Sequence, residues 1–119
     1  MPLVVGDATP ETVAEILDAL WGGPETLIVI SSDLSHYLSY DKARASDKAT
    51  CQAIENLDVH DIDHEGACGA TPIRGLLIAA RRRGMQVTTL DLRNSGDTAG
   101  DKSHVVGYGS WLFFEGNVP

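Results

Sequence analysis

Asp33 and His36 stand three residues apart within Ser31-Ser32-Asp33-Leu34-Ser35-His36-Tyr37. An Asp-x-x-His pair on a tight turn has a carboxylate to orient an imidazole, or two groups to offer a metal or a substrate proton. The structural alternative is that Asp33 caps the turn together with Ser32 and Ser35, and that His36 is a satisfied loop residue. Cys68 lies in the small-residue turn Ala67-Cys68-Gly69-Ala70, just ahead of Thr71-Pro72. A thiol before a helix N-terminus feels the positive end of the dipole, which favours thiolate and so metal ligation or nucleophilicity. Its alternative is a small buried apolar side chain. Cys51 lies mid-helix without glycine neighbours and reads as packing.

Other clusters carry less chemistry. His60, Asp61, Asp63, His64 and Glu65 resemble a divalent-ion cluster but have neither the glycine nor the spacing of a calcium loop, so a solvated acidic turn accounts for them better. Asn94 to Asp101 is rich in glycine and aspartate but lacks the Lys-Ser/Thr ending and following helix of a phosphate loop. Arg81-Arg82-Arg83 complements the negative end of a helix.

The elements that must position these residues follow from pattern. Leu3 to Val5 reads as a short strand. Thr9-Pro10-Glu11 is a cap followed by a first-turn proline, and Val13, Ile16, Leu17 and Leu20 give helical spacing up to Gly22-Gly23-Pro24. Leu27 to Ile30 is a continuous apolar run of strand length, which suits a strand covered on both faces as in a parallel sheet. It would deliver Asp33 and His36 at its carboxyl end, where open α/β folds place their sites. A polar helix with a thin apolar stripe (Ala43, Thr50, Ala53, Ile54, Leu57) runs from Tyr40 or Asp41 to about Leu57. Thr71-Pro72 opens another helix, with Ile73, Leu76, Leu77 and Ala80 on its buried face and Gly84 as its stop. Val87 to Leu92 and Val105 to Phe114 read as strands, with a loop over 94–103. The expected class is α/β, with a mixed, partly parallel sheet flanked by helices.

Composition bounds the partners. The 119 residues are 43% hydrophobic, with 17 acidic against 9 basic side chains and a formal net charge of −8. Residues 1–65 hold 13 of those acids and 3 of the bases, with no linker or repeat between the halves. Such a chain is a poor ligand for phosphate backbones or anionic lipid. No apolar run approaches the ~20 residues that span a bilayer, and the first residues lack a signal peptide's basic start and apolar stretch. Two cysteines make a poor disulfide framework. A cytoplasmic protein, with neither nucleic acid nor membrane as partner, is expected.

Three blocks, taken together, resemble the Memo family, called AmmeMemoRadiSam system protein B in bacteria and archaea. They are Ser31 to Tyr37; Ala67-Cys68-Gly69 with Pro72-Ile73; and Asp91-Leu92-Arg93-Asn94-Ser95-Gly96-Asp97-Thr98 continued through Val105-Val106-Gly107-Tyr108-Gly109. The resemblance implies a fold like that of class III extradiol dioxygenases, which hold a mononuclear iron with two histidines and one further ligand. By the same resemblance Cys68 is the cysteine ligand of a non-haem iron or copper redox site, His36 occupies the acid/base position, and Asp33 supports it. A complete member is a little over twice this length. Residues 1–119 therefore correspond to the C-terminal part of one such domain, without the histidine motifs that supply the other ligands. His60, His64 and His104 lie outside those motifs. One cysteine with a nearby histidine falls short of a three-ligand iron site, so the isolated chain is expected to bind iron weakly or not at all and to be inactive, whereas the resemblance implies a candidate metal-dependent oxidoreductase for a complete member. Implied partners are a separate N-terminal half or a second copy, covering Leu3 to Val5 or the strand Trp111 to Phe114, and a functionally associated radical S-adenosylmethionine protein. The competing function is a non-enzymatic ligand- or peptide-binding module with an incidental thiol.

Overall fold

The computed structural model describes residues 1–98 and 101–115. The elements run α1 (Pro10–Leu20), β1 (His36–Leu38), α2 (Tyr40–Glu55), α3 (Ala70–Arg83), β2 (Gln86–Asn94) and β3 (Val105–Phe114), with single 3-10 turns at Val59–Asp61 and Ser95–Asp97. The α/β class is as expected. Among the described residues no helix is long and apolar enough to cross a membrane.

Local signals account for the helices. Thr9 caps α1 by accepting from the Thr12 amide, and Pro10 occupies the first turn, where no amide donor is missed. Val13, Ala14 and Leu17 are buried, while Ile16 and Leu20, expected on the same face, remain 42% and 45% exposed. α3 buries Ile73, Leu76, Leu77 and Ala80 and ends at Gly84, whose φ of 64° is the left-handed conformation that glycine adopts cheaply. Its start differs from the Thr71-Pro72 reading: the helix begins at Ala70, with Gly69 in the cap position. Gly75 sets how closely α1 and α3 approach, since a Cβ there would lie 2.4 Å from Val13 Cγ1.

The sheet corrects the expected strand directions. Its order is β1-β3-β2 and both pairings are antiparallel, β2 and β3 matching from Gln86 opposite Phe114 to Asn94 opposite Gly107. The segments that were to supply further strands, Leu3 to Val5 and Leu27 to Ile30, are assigned to no strand. Residues 27–30 keep a strand's alternation: Ile28 and Ile30 pack against the Val13, Leu17 and Leu76 cluster, while Leu27 and Val29 are 85% and 76% exposed. Among the described residues their backbone groups have no hydrogen-bond partner. Apolar alternation prepares a strand, but only a neighbour completes one.

The core has two clusters. Leu34, Ala53, Ile54, Ile62, Ala67, Ala70, Ile73 and Leu77 form one, joining α2, α3 and the segment that carries Asp33. The α1 and α3 cluster is the other, and Ile30 and Phe113 touch both. The expected loop over 94–103 begins as the end of β2 and a 3-10 turn closed by a reciprocal capping box between Asn94 and Asp97; residues 99–100 lie outside the described residues.

Candidate metal centre

Two backbone anchorages bring the site residues together. On the Asp33–His36 side, Leu34 is 2% exposed, its amide donates to the Gly107 carbonyl at 2.9 Å, and the Gly107 amide donates to the Ser35 carbonyl at 2.9 Å. The Ser35 amide donates to Asp47 Oδ1 at 3.0 Å, and Asp47 is itself buried. A Cβ on Gly107 would fall 2.0 Å from Asp47 Oδ2, so a bare backbone is what lets that carboxylate reach Ser35. Tyr37, next in the chain, takes the left-handed φ of 59°, unusual for a non-glycine residue. There the β1–β3 register shifts between His36 and Leu38.

On the Cys68 side, the Gly69 amide donates to Ser32 Oγ at 2.9 Å, and Ser32 Oγ donates to the Asp33 carbonyl at 2.6 Å. Ser32 therefore ties the two turns together instead of capping its own, and Ser35 Oγ is buried without a partner among the described residues. A Cβ on Gly69 would lie 2.6 Å from Ser32 Cβ and 2.9 Å from the Ser31 carbonyl. The close approach of the turns thus depends on that glycine.

The outcome is a hydrogen-bonded chain of three side chains from two distant segments. Cys68 Sγ donates to Asp33 Oδ1 at 2.8 Å, and His36 Nε2 lies 2.6 Å from Asp33 Oδ2. One donor atom from each residue lies within 4.8 Å of the others, and among the described residues this is the one such group of histidine, cysteine and acidic side chains. The Cys68 thiol, and beyond it His36, hold the Asp33 carboxyl below its ordinary value, against a partial desolvation that acts the other way. Cys68 is exposed rather than a packed core cysteine, and the His36 and Asp33 side chains are 41% and 30% exposed.

The donor set fits a metal ion. Bonds of about 2.0 Å to imidazole or carboxylate and about 2.3 Å to thiolate place donors up to roughly 4.3 Å apart across an ion. The observed spread therefore needs only small shifts once the two hydrogen-bond protons leave. A nitrogen, an oxygen and a sulfur suit transition metals rather than calcium or magnesium, and the exposure leaves room for further ligands.

The remaining sequence candidates lie elsewhere. Cys51 is buried, with its thiol 3.4 Å from Thr89 Oγ1, as expected for packing. His60, Asp61, Asp63, His64 and Glu65 are exposed. Arg82 and Arg83 pair with Asp18, and the Arg83 guanidinium stacks 4.0 Å from the Trp21 ring. A cavity of about 400 Å³ opens between α2 and β2, lined by Arg44, Asp47, Lys48, Arg93 and Asp97 among others; Asp47 links this lining to the segment that carries the site through its hydrogen bond with Ser35. Asp47, Ser32, Gly69 and Gly107 are the positioning residues that sequence reasoning missed. Asp47 left a trace: it falls on the apolar stripe of α2 between Ala43 and Thr50, where an acid has to be satisfied internally.

Fold and site together define an α/β protein in which a half-buried aspartate, an exposed histidine and an exposed cysteine are gathered. A Memo-like protein family model matches residues 1–112, and the chain belongs to that family. It is 34% identical over 124 residues to a MEMO1 family protein of Sulfolobus acidocaldarius, covering 95% of this chain and 44% of that one. A MEMO1 family protein of Methanosarcina mazei is 32% identical over 120 residues, with 91% and 45% covered. One from Aquifex aeolicus is 35% identical over 96 residues, with 75% and 36% covered. The chain thus spans less than half the length of these relatives.

Proposed function

We propose that this chain contributes Cys68, His36 and Asp33 to a non-haem iron or copper redox centre. The observation that carries the reading is the meeting of thiol, carboxylate and imidazole within 4.8 Å from segments more than thirty residues apart in sequence. A bound iron or copper ion supplies electron transfer and Lewis acidity. In this reading Cys68 is the ligand, its proton lost to solvent. His36 holds a proton at Nε2 beside the site, and Asp33 Oδ2 fixes the ring's orientation and stabilises its charged form. The radical S-adenosylmethionine association and an oxidoreductase activity belong to the whole family-length protein in the same proposal.

The 4.8 Å spread also favours a second arrangement, in which all three side chains ligate directly. Cys68 alone falls short of a three-ligand site, so metal analysis of untagged protein in which this chain is joined to the rest of a family-length protein separates the two. Stoichiometric iron or copper in the wild type, lost in Cys68→Ala, is expected in both. Retention in His36→Gln and Asp33→Asn marks the proton-handling arrangement, and loss marks direct ligation. Wild-type protein that takes up neither metal when supplied with it would leave the ligand-binding module as the better account.

A further inference from the structure

The segment 27–30 has a strand's side-chain alternation but no partner strand among the described residues. It alternates inward Ile28 and Ile30 with outward Leu27 and Val29, 85% and 76% exposed, and Val4 and Leu3 add further apolar surface at 98% and 56%. Among the described residues none of its backbone groups is hydrogen-bonded, although β-branched, apolar chain of this kind with open backbone is the usual template for strand addition. It leads directly into Ser31 to Asp33, so whatever pairs with it lies beside the donor trio.

We infer that this open edge seats β-structure from the polypeptide that makes up the rest of a family-length protein, whether joined to this chain or separate. The chain accounts for 44% and 45% of two relatives' lengths, so more than half of such a protein remains to cover it. A second copy fits the edge less well. Each chain carries a net charge of −8, and a few apolar side chains fall short of the roughly 1,200 Å² of total buried surface that a stable pair needs. Seating would place the partner's side chains next to Asp33 and Cys68, where further ligands could join; that consequence alone rests on the metal reading.

The test joins the part of the Sulfolobus acidocaldarius relative outside the matched stretch to this chain, in the order in which the relative carries it. Joining raises the effective concentration enough that weak affinity cannot hide pairing. Amide hydrogen exchange is followed at residues 27–30, with α3 amides as the folded reference. Exchange at 27–30 should slow at least 100-fold relative to this chain alone, and Val29→Lys or Val29→Pro in the fusion should reverse it. If the fusion fails to protect α3, the same segment is added in trans to the intact chain and read the same way. Unchanged exchange at 27–30 beside a protected α3 overturns the inference, as does equal slowing in this chain alone with dimers in sedimentation, which would assign the edge to a second copy. Slowed exchange without iron or copper uptake by the fusion leaves the docking standing and removes the metal reading instead.

Discussion

Asp47→Ala tests whether the buried carboxylate on α2 holds the site segment in place. The mutation deletes the acceptor of the Ser35 amide, a bond of 3.0 Å in a buried setting, and strands that amide beneath Gly107. A hydrogen bond to a charged group contributes about 1.5–3 kcal/mol, and an orphaned buried donor costs about 1–3 kcal/mol. Because these overlap, a loss of about 2–3 kcal/mol is expected. With an unfolding entropy of about 2.1 cal/mol/K per residue, a chain of this length loses about 4 °C per kcal/mol, so the melting temperature should fall by about 8–12 °C. Gly107→Ala reaches the same bond from the other side, its Cβ falling 2.0 Å from Asp47 Oδ2, and should cost about 1–3 kcal/mol by overpacking. In the double variant the new methyl enters the space the carboxylate left. Its cost should therefore stay near that of Asp47→Ala, giving a coupling of about 1 kcal/mol or more. Urea and thermal unfolding followed by far-UV circular dichroism read all four proteins. A loss under about 0.5 kcal/mol in Asp47→Ala, or strict additivity in the double variant, would refute the claim that Asp47 is the clamp.

Gly75→Ala should destabilise by about 1–3 kcal/mol despite alanine's better helix propensity, because its Cβ would lie 2.4 Å from Val13 Cγ1 and 2.6 Å from Val13 Cβ; Val13→Ala in the same chain removes the first contact and keeps the second, so it should recover only part of the loss, and no recovery in urea melts would exclude the Cγ1 contact as a cause. The Tyr40 hydroxyl donates to Asp97, which lifts the phenol above its ordinary 10.0 and holds the carboxyl below its ordinary 3.8. The depressed carboxyl contributes stability above its unfolded value and loses it as pH falls through the folded one; the raised phenol contributes below its unfolded value and loses it as pH rises through the folded one. Wild type should therefore out-melt Asp97→Asn in the neutral range, with the gap closing on both flanks. Tyrosinate absorbance should also show one phenol ionising earlier in the variant, and superimposable titration curves would count against the pair.

The helices were legible because their signals are local. Thr9-Pro10 and the spacing of Val13 and Leu17 specify α1 without reference to the rest of the chain, and Gly84 ends α3 for the same reason. The α3 start was misread because Thr71-Pro72 carries a cap signature, while the buried Ala67 and the Gly69–Ser32 contact decide where the first turn forms. Strands are a property of pairs. Residues 27–30 have the more strand-like sequence yet form none, whereas His36–Leu38 forms one through β3 with a left-handed Tyr37 that no pattern announces.

The same distinction governs the site. Asp33, His36 and Cys68 are visible as residue types, but their meeting depends on two glycines that admit close backbone approach, Gly69 and Gly107, and on an acid placed among apolar positions. A glycine in a sequence signals freedom of conformation or absence of a side chain, and only the neighbour reveals which. Here the neighbours are Ser32 and Asp47, one tying the Cys68 turn to Asp33 and the other pinning Ser35 beside His36. The trio also adjoins the failed strand: the unpaired backbone of 27–30 leads into Ser31-Ser32-Asp33. In water, thiolate, carboxylate and imidazole hold a cation against competing solvent and are screened from one another. Covering that edge would strengthen their mutual fields as well as complete the sheet, so strand pairing and metal affinity should rise together.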